Sequence, residues 1–399
     1  MAGITGMGTT FDLPNYAGEL FALTPADTPF LSAIGGLTGG GMTTSQEFEW
    51  QTYDLRDPAQ RTRLEGAAAP TAEERVRANV RNVVQIHQEK VSVSYTKQAA
   101  TGAMTTPGAA PFRGVNGENP VTNELDWQVA QALKSVALDV NFSFINGTHA
   151  NPTTNATSRR TRGLLAAITS NRIARGTTTT GASSATDTIT ATAHGLADGD
   201  RIVFTNTSTA TGIVAGRAYF VDQLDANTFK VSTSSGGAPL TLGTATGLAY
   251  TKPWATTLTP EHVEDLIQLA YDNGGISEQE TATLLVNSSQ RRNLSRAYAE
   301  AYGKYQETSR TVGGVAVDTI VTNFGTLNVM LDRHMPQDTL AVVSLEQCMP
   351  VFLNIPGKGV MFEEPLAKTG ASDEVQLYGE VGLKYGNERA HAVQTGLKV

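Results

Sequence analysis

The chain has 399 residues, 40% of them apolar and 17% charged, with a formal net charge of −8. That length suits two or three domains and that apolar content suits packed cores, which excludes a disordered chain. The acidic balance argues against a dedicated nucleic-acid binder. The single cysteine, Cys348, excludes an internal disulfide and a cysteine-built metal site, and its apolar neighbours predict a buried, inert thiol.

Met1 to Thr10 has no basic cluster and no apolar run, so no secretory signal is expected there. No stretch approaches the ~20 apolar residues of a membrane span, which predicts a soluble protein made in a cytoplasm. Residues 1–46 are rich in Gly, Thr and Pro and read as an arm. Asn15 can cap a short helix through Leu23. Thr28-Pro29 signals a second helix start, because proline has no N–H to leave unpaired there. Gly35, Gly36, Gly39, Gly40 and Gly41 are expected to break regular structure.

The segment Glu47–Lys97 holds eight acidic and eight basic residues, roughly twice the charge density of the chain. Phe48 and Trp50 alternate with Glu47, Glu49 and Gln51. Val84 and Ile86 alternate with Gln85 and His87; then Val91, Val93 and Tyr95 alternate with Ser92, Ser94 and Thr96. The apolar phase moves from even to odd positions, which predicts a bulge or bend. The reading is a long two-stranded excursion with no core of its own, marginal in isolation and held by another copy of the chain.

Residues 98–120 read as a loop. Pro120 opens and Gly147 closes the clearest helix, with Val121, Leu125, Val129, Leu133, Val136, Val140 and Phe144 on one face. Its length is roughly 36 Å at 1.5 Å per residue. Asn123, Glu124, Gln128, Gln131, Lys134 and Asn141 are assigned to the polar face. A basic patch follows: Arg159, Arg160 and Arg162, with Arg172 and Arg175 beyond. It suits DNA phosphate or a solvated or inter-subunit face about equally. Composition then changes: residues 177–252 hold eighteen threonines and nine glycines. Runs at Thr186–Thr192, Arg201–Thr205, Ala218–Leu224 and Thr228–Ser232 predict an inserted all-β domain of five to seven strands. Its aspartates, Asp187, Asp198, Asp200, Asp222 and Asp225, read as turn formers and lack a calcium-loop pattern.

The host resumes at Pro253. Thr259-Pro260 starts a helix with Val263, Leu266, Ile267 and Ala270 on its apolar face. Thr283–Val286 is a buried strand, and Ser288 is expected to cap a helix carrying Leu294, Ala297, Tyr298 and Ala301. Strands are predicted at Thr326–Leu331, Thr339–Leu345, Val351–Leu353 and near Ala390–Leu397. Val375, Leu377, Val381, Leu383 and Tyr385 alternate with Gln376, Tyr378, Glu380 and Lys384 in one more strand.

Chemistry is hard to find. The six histidines lack metal-ligand spacing, the glycines at 35–41 lack a following Gly-Lys-Ser/Thr, and no Gly-x-Ser-x-Gly elbow occurs. Glu73-Glu74 and Glu363-Glu364 read as solvated acids. No catalytic, cofactor-binding or metal residue is predicted, and an enzyme is not expected.

The order of the parts resembles the major capsid proteins of tailed bacteriophages, the Hong Kong 97-type fold. Asn15-Tyr16-Ala17-Gly18-Glu19-Leu20, then Thr24-Pro25-Ala26-Asp27-Thr28-Pro29-Phe30-Leu31, looks like the start of one capsid subfamily. Leu284-Leu285-Val286-Asn287-Ser288-Ser289-Gln290 before a helix looks like its central region. The Thr/Gly-rich insert, with its turn His194-Gly195-Leu196-Ala197-Asp198-Gly199-Asp200, resembles the Ig-like β-domains of phage structural proteins.

The resemblance implies an α+β fold. It has an N-terminal arm (1–46), an extended β-loop (47–100), and a spine helix with peripheral domain (101–160). The axial domain starts at 161–176, the Ig-like insert spans 177–252, and axial helices span 253–309. The rest of both domains lies in 310–399, with 310–350 grouped as peripheral and 351–375 as axial. It further implies hexamers and pentamers of an icosahedral shell around double-stranded DNA, in a virion assembled from protein made in the host cytoplasm. Its partners would be other copies, a separate scaffolding protein, a portal, room for a decoration protein, and DNA in non-specific proximity. No membrane is involved. The inter-subunit contacts would be Arg56, Arg61, Arg63, Glu65, Glu73, Glu74, Arg75 and Arg77. The family's Lys–Asn crosslink is not expected, because the loop has lysines only at Lys90 and Lys97. The alternative reading is a tail or adhesin structural protein with a β binding module.

Overall fold

The computed structural model describes residues 25–56, 58–100, 124–276, 282–302, 308–312, 315–367 and 370–399. The helix expected at 15–23, most of the loop at 98–120 and the start of the spine helix lie outside these. Two compact units are present: residues 1–27, 87–138 and 361–379 form one, and 28–86, 139–360 and 380–399 the other.

In chain order, α1 (Pro29–Ala33) starts on Pro29 as expected, although the Thr28 side chain caps no backbone N–H; Phe30 and Leu31 are buried. The glycines do not end all structure, since β1 (Gly41–Thr43) pairs parallel with a later strand. Next come β2 (Glu47–Tyr53), β3 (Arg77–Val83), β4 (Gln85–Ser94) and α2 (Tyr95–Ala100). The phase break falls at Val84: Val83 and Val84 are both buried, and thereafter His87, Val91 and Val93 point inward. Ile86, expected inside, is 46% exposed. The spine helix is α3 (Glu124–Asn146). Val136, Val140 and Phe144 are buried as expected, but Leu133 is exposed and Asn141, assigned to the polar face, is wholly buried.

A short turn α4 (Leu164–Ala167) and β5 (Arg172–Ala174) lead to the insert: β6 (Thr177–Ser183), β7 (Ile189–Thr190), β8 (Arg201–Asn206), β9 (Ala218–Gln223), β10 (Thr228–Ser232) and β11 (Ala245–Lys252). Beyond it lie α5 (Pro260–Asp272), β12 (Ala282–Val286), α6 (Ser288–Tyr302), β13 (Thr308–Val312), β14 (Val315–Thr322), β15 (Gly325–Leu331), β16 (Leu340–Ser344), β17 (Met349–Leu353), β18 (Met361–Pro365), β19 (Ser372–Lys384) and β20 (Ala392–Thr395). At the start of α6 it is Asn287, one residue before the expected Ser288, whose side-chain oxygen accepts from Ser289 N–H at 3.4 Å.

The larger unit holds a core of strands and helices. Seven strands in the order β13-β14-β15-β12-β16-β20-β5 form one sheet. Val263, Leu266, Ile267 and Ala270 of α5 and Leu294 and Tyr298 of α6 share a core with Leu284, Val286, Ile320, Leu327, Val329, Leu340 and Val342 of that sheet. Strands β14, β15 and β16, within residues 310–350, therefore share a core with the two helices. Within the same unit β1, β17 and the end of β19 are neighbours; at Gly40 a Cβ would lie 2.2 Å from the Pro350 carbonyl oxygen, so only glycine allows that approach. In the smaller unit β18 pairs antiparallel with Val375–Gly379 of β19, and Val91, Val93, Ala132 and Leu377 form a small core.

The insert closes as one barrel, in the order β10-β7-β6-β11-β8-β9, around Phe204, Tyr219, Phe229, Leu248 and Tyr250. An Ig domain has two separate sheets, so the expected Ig-like architecture is not what forms. The His194 turn is a structural pin: Nε2 donates to the Asp225 carbonyl at 2.9 Å and Nδ1 accepts from Leu196 N–H at 3.0 Å. Asp200 and Asp225 accept from Ala197 and Asn227 N–H within their own turns, as turn formers do, whereas Asp187 and Asp198 accept from the distant Leu242 and Gln223 N–H groups.

One loop of the larger unit gathers many elements. Asp332 and Asn141 are wholly buried. Asn141 Oδ1 accepts from Leu31 N–H at 2.9 Å, and its Nδ2 donates to Asp332 Oδ2 at 2.9 Å. Asp332 Oδ1 accepts from His334 N–H at 2.7 Å. Asn146 donates to His334 O, Asn287 to Met335 O and Gln290 to Gln337 O, each at 2.7 Å. Gln337 N–H donates to Gly216 O of the barrel at 2.7 Å.

His87 is buried with no partner for Nε2, and burial pushes its imidazole down to about 4. A depressed folded value means that the unfolded chain takes up the proton first. Stability from this group is therefore complete above about pH 6.5 and is lost as pH falls to about 4, by about 3 kcal/mol. His87→Leu is expected to flatten that part of the profile, measured as urea midpoints at about pH 7 and about pH 4. Equal acid sensitivity in both proteins would contradict the assignment.

Candidate inter-subunit surface

The excursion is rooted by aromatic packing. Trp50 Nε1 donates to Gly386 O at 2.7 Å, and its ring meets Tyr385 edge-on at 4.9 Å. Phe48 stacks on Trp50 at 5.9 Å and presses on Gly382, where a Cβ would lie 2.7 Å from the ring and 2.6 Å from Val83 O. Gly382 is thus fixed by packing. Asn82, wholly buried, is the polar bracket. Its Nδ2 donates to Leu383 O at 2.7 Å and Arg162 O at 3.1 Å, while Oδ1 accepts from Arg162 N–H at 2.8 Å. Nothing in the sequence marked this residue, which sits between Arg81 and Val83.

The paired strands start earlier on the return limb than expected, at Arg77, which stands opposite Tyr53. On one face three diagonal pairs lock the register: Arg77 to Gln51 at 3.0 Å, Asn79 to Glu49 at 3.2 Å and Arg81 to Glu47 at 3.3 Å. Beyond the ladder, Arg56, Arg61 and Arg75 converge on the Glu73 carboxylate at 3.2, 3.4 and 3.0 Å. Hydrogen bonds from Arg56 and then Arg75 hold the Glu73 carboxyl below the usual carboxylate range. Arg56 and Arg61 lie on the outgoing limb, Glu73 and Arg75 on the returning one, so the cluster ties the limbs together. Of the eight expected contact residues, the structure brings these four together and pairs Arg77 with Gln51. Arg63, Glu65 and Glu74 are exposed and form no ion pair with a described residue. Every described residue from Tyr53 to Asn79 is exposed. Among them are large apolar side chains that the charge pattern concealed: Tyr53 (70%), Leu55 (71%), Leu64 (85%) and Val76 (81%).

The basic patch is largely committed within the chain. Arg159 pairs with Glu380 at 2.9 Å, which explains why Glu380, expected on a polar face, is buried. Arg162 donates to the Tyr385 hydroxyl, Arg172 to Leu165 O, and Arg175 to Asp265 at 3.0 Å while lying over Trp254. Arg160 is exposed. Cys348 is buried, and burial pushes its thiol far up. Among the described residues no group of three or more His, Cys, Asp or Glu side chains is placed to hold a metal, and no helix is long and apolar enough to cross a membrane.

A rooted hairpin excursion, a long helix and a two-layer α/β unit together make a recognisable fold. The "Cyanophage A-1(L) capsid asymmetric unit" matches at a TM-score of 0.53 and 10% identity, covering 98% of each chain. Two others align with lower scores: a cyanophage P-SCSP1u capsid (TM-score 0.46, 11% identity, covering 99% of this chain and 96% of that one) and the SrpI encapsulin of Synechococcus elongatus PCC 7942 (0.48, 9%, 97% and 92%). No curated protein matches the sequence. The fold is the α+β fold of Hong Kong 97-type phage capsid proteins, the class of shell-building subunits. The chain belongs to the SU10 major capsid protein family, matching it over residues 3–398.

Asn82→Ala is expected to lower the stability of the larger unit by about 2–4 kcal/mol, because Leu383 O and Arg162 N–H lose buried partners. Thermal unfolding together with limited proteolysis of the excursion would show it. An unchanged melting temperature would remove Asn82 from its bracketing role.

Proposed function

We propose that this major capsid protein assembles as hexamers and pentamers into an icosahedral head enclosing double-stranded DNA, with the excursion of each subunit lying on a neighbour. The observation that carries this is the run Tyr53–Asn79, in which every described residue is exposed, anchored by a tight aromatic root yet sheltered by no described residue of its own chain. A hairpin of this kind is marginal alone and suits a subunit whose neighbours complete it. Arg63, Glu65 and Glu74 remain available to a partner and can help to select register, each exposed pair contributing about 0–1 kcal/mol.

The partners that follow from this reading are further copies, a scaffolding protein, a portal, room for a decoration protein, and packaged DNA near a predominantly acidic wall. Its location is the virion shell after synthesis in the host cytoplasm. The role is structural and not catalytic. The shell is held by contact: Lys90 and Lys97, the lysines nearest the excursion, pair with Glu374 and Glu124. The peripheral domain corresponds to the smaller unit and the axial domain to the seven-stranded sheet with α5 and α6.

Electron microscopy of the protein expressed with its scaffold is expected to show closed shells whose subunits run at monomer mass on a denaturing gel. Deleting Arg61–Arg77 is expected to leave a folded subunit that fails to form stable shells. Tubes, fibres or a small discrete oligomer would overturn the reading, and covalent ladders would overturn the contact-only part of it.

Deleting the insert is expected to leave assembly intact. Thr177 and Lys252 are paired neighbours in the barrel, so their flanks can be joined over a short gap. Loss of all soluble host protein would show that the barrel is needed for the host to fold.

A further inference from the structure

The excursion carries two chemically different sets of side chains, and the structure leaves them in different states. Most of the charged set is satisfied within the subunit, at Glu73 and along the ladder of Arg77, Asn79 and Arg81. The apolar set is not. Tyr53 ends the outgoing strand, Leu55 lies two residues beyond it, and Val76 directly precedes the returning strand. All three lie within two residues of the last pair of the ladder, Tyr53 with Arg77. Leu64 opens a turn closed by Ala67 N–H to Leu64 O at 3.1 Å, with Gly66 at φ +75. Beyond that turn lie Ala67, Ala68, Ala69 and Pro70. The Glu73 cluster stands between the two apolar stations in the chain.

We propose that these two stations, and not the charges, hold the excursion against a second copy of this chain, and that Glu73 with its three arginines is an internal brace that presents Leu64. The inference rests on the coat-subunit reading above. The occupant follows from the charge balance and the setting. Between Tyr53 and Ala78 five arginines face five acids, so no net charge selects nucleic acid or a strongly charged protein. Four large apolar side chains at least 70% exposed on one hairpin suit burial against another protein, and in a shell the neighbour present at every site is another copy.

The first test is crosslinking in assembled particles. Cys348 is buried with its thiol pushed up, so Leu64→Cys supplies the reactive thiol for a maleimide-linked photo-crosslinker. Adducts of twofold chain mass joining two copies are expected. Adducts to a different protein, or none, overturn the proposal.

The second test ranks the two sets. Leu55→Ser with Leu64→Ser is expected to leave at least about tenfold fewer intact particles after dilution. Arg63→Ser with Glu74→Ser should stay within about twofold of wild type, and wild-type particles should survive a rise from about 0.1 M to about 1 M salt, which screens surface charge. The reverse ranking, or dissolution by salt, overturns the proposal while leaving the coat reading standing. Wild-type protein that forms no shell overturns both.

Discussion

A carboxylate removed from water has to collect donors, and the larger unit is organised around one that does. Asp332 lies at the end of a central strand with no exposed surface, and its donors come from the spine helix, the arm and its own loop. Asn141 serves both sides of this arrangement, because the amide that donates to Asp332 also accepts from the backbone of the arm at Leu31. The arm is thus tied to the helix at Leu31 and also reaches the carboxylate directly, Phe30 N–H donating to Asp332 Oδ2 at 3.5 Å. Asn146, Asn287 and Gln290 then fix the carbonyls of residues 334, 335 and 337, so the spine helix and the start of α6 agree on one loop conformation. Buried amides suit this work, since each can both donate and accept while burying no charge.

Local patterns were readable in the sequence where one face of an element meets one environment. The helix from Pro260 shows this: Val263, Leu266, Ile267 and Ala270 are buried as their spacing requires. The strand at 282–286 and the composition break at 177 were readable for the same reason. Asn141 was not, because a helical period assigns every polar residue to the solvent face and cannot see a buried carboxylate 191 residues away. Glu380 was misplaced likewise, its partner Arg159 being 221 residues distant. Strand partnership was also hidden: apolar runs at 326–331 and 351–353 look alike, yet one joins the seven-stranded sheet and the other pairs with β1. The barrel's closure was equally invisible, since a sandwich and a small barrel use the same short strands and turns.

The excursion shows how a correct location can come with an incomplete chemical account. Its charge density drew attention to the right residues, and several of those charges turn out to face one another across the hairpin. Exposed pairs of this kind contribute little stability each, but three diagonal pairs and a three-armed carboxylate leave few alternative registers for two limbs without a core. Register is what such a hairpin most needs, because a one-residue slip would turn Phe48 and Trp50 away from Tyr385 and Gly382. Charge fixes the shape of the excursion, and the aromatic root fixes its origin.

The insert obeys the same economy of connection. Its first and last strands pair from Thr177 to Lys252, so the host chain leaves and returns at nearly one point and little of the surrounding fold has to change. A single tether would let the barrel swing. A second contact prevents it: Gln337 N–H donates to Gly216 O, and Gln337 Oε1 accepts from Ala218 N–H at 2.9 Å. Gln337 belongs to the loop that Asn141 and Asp332 organise, and Gln290 of α6 holds its carbonyl. The direction in which the barrel projects is therefore set by the same buried polar network that seats the arm.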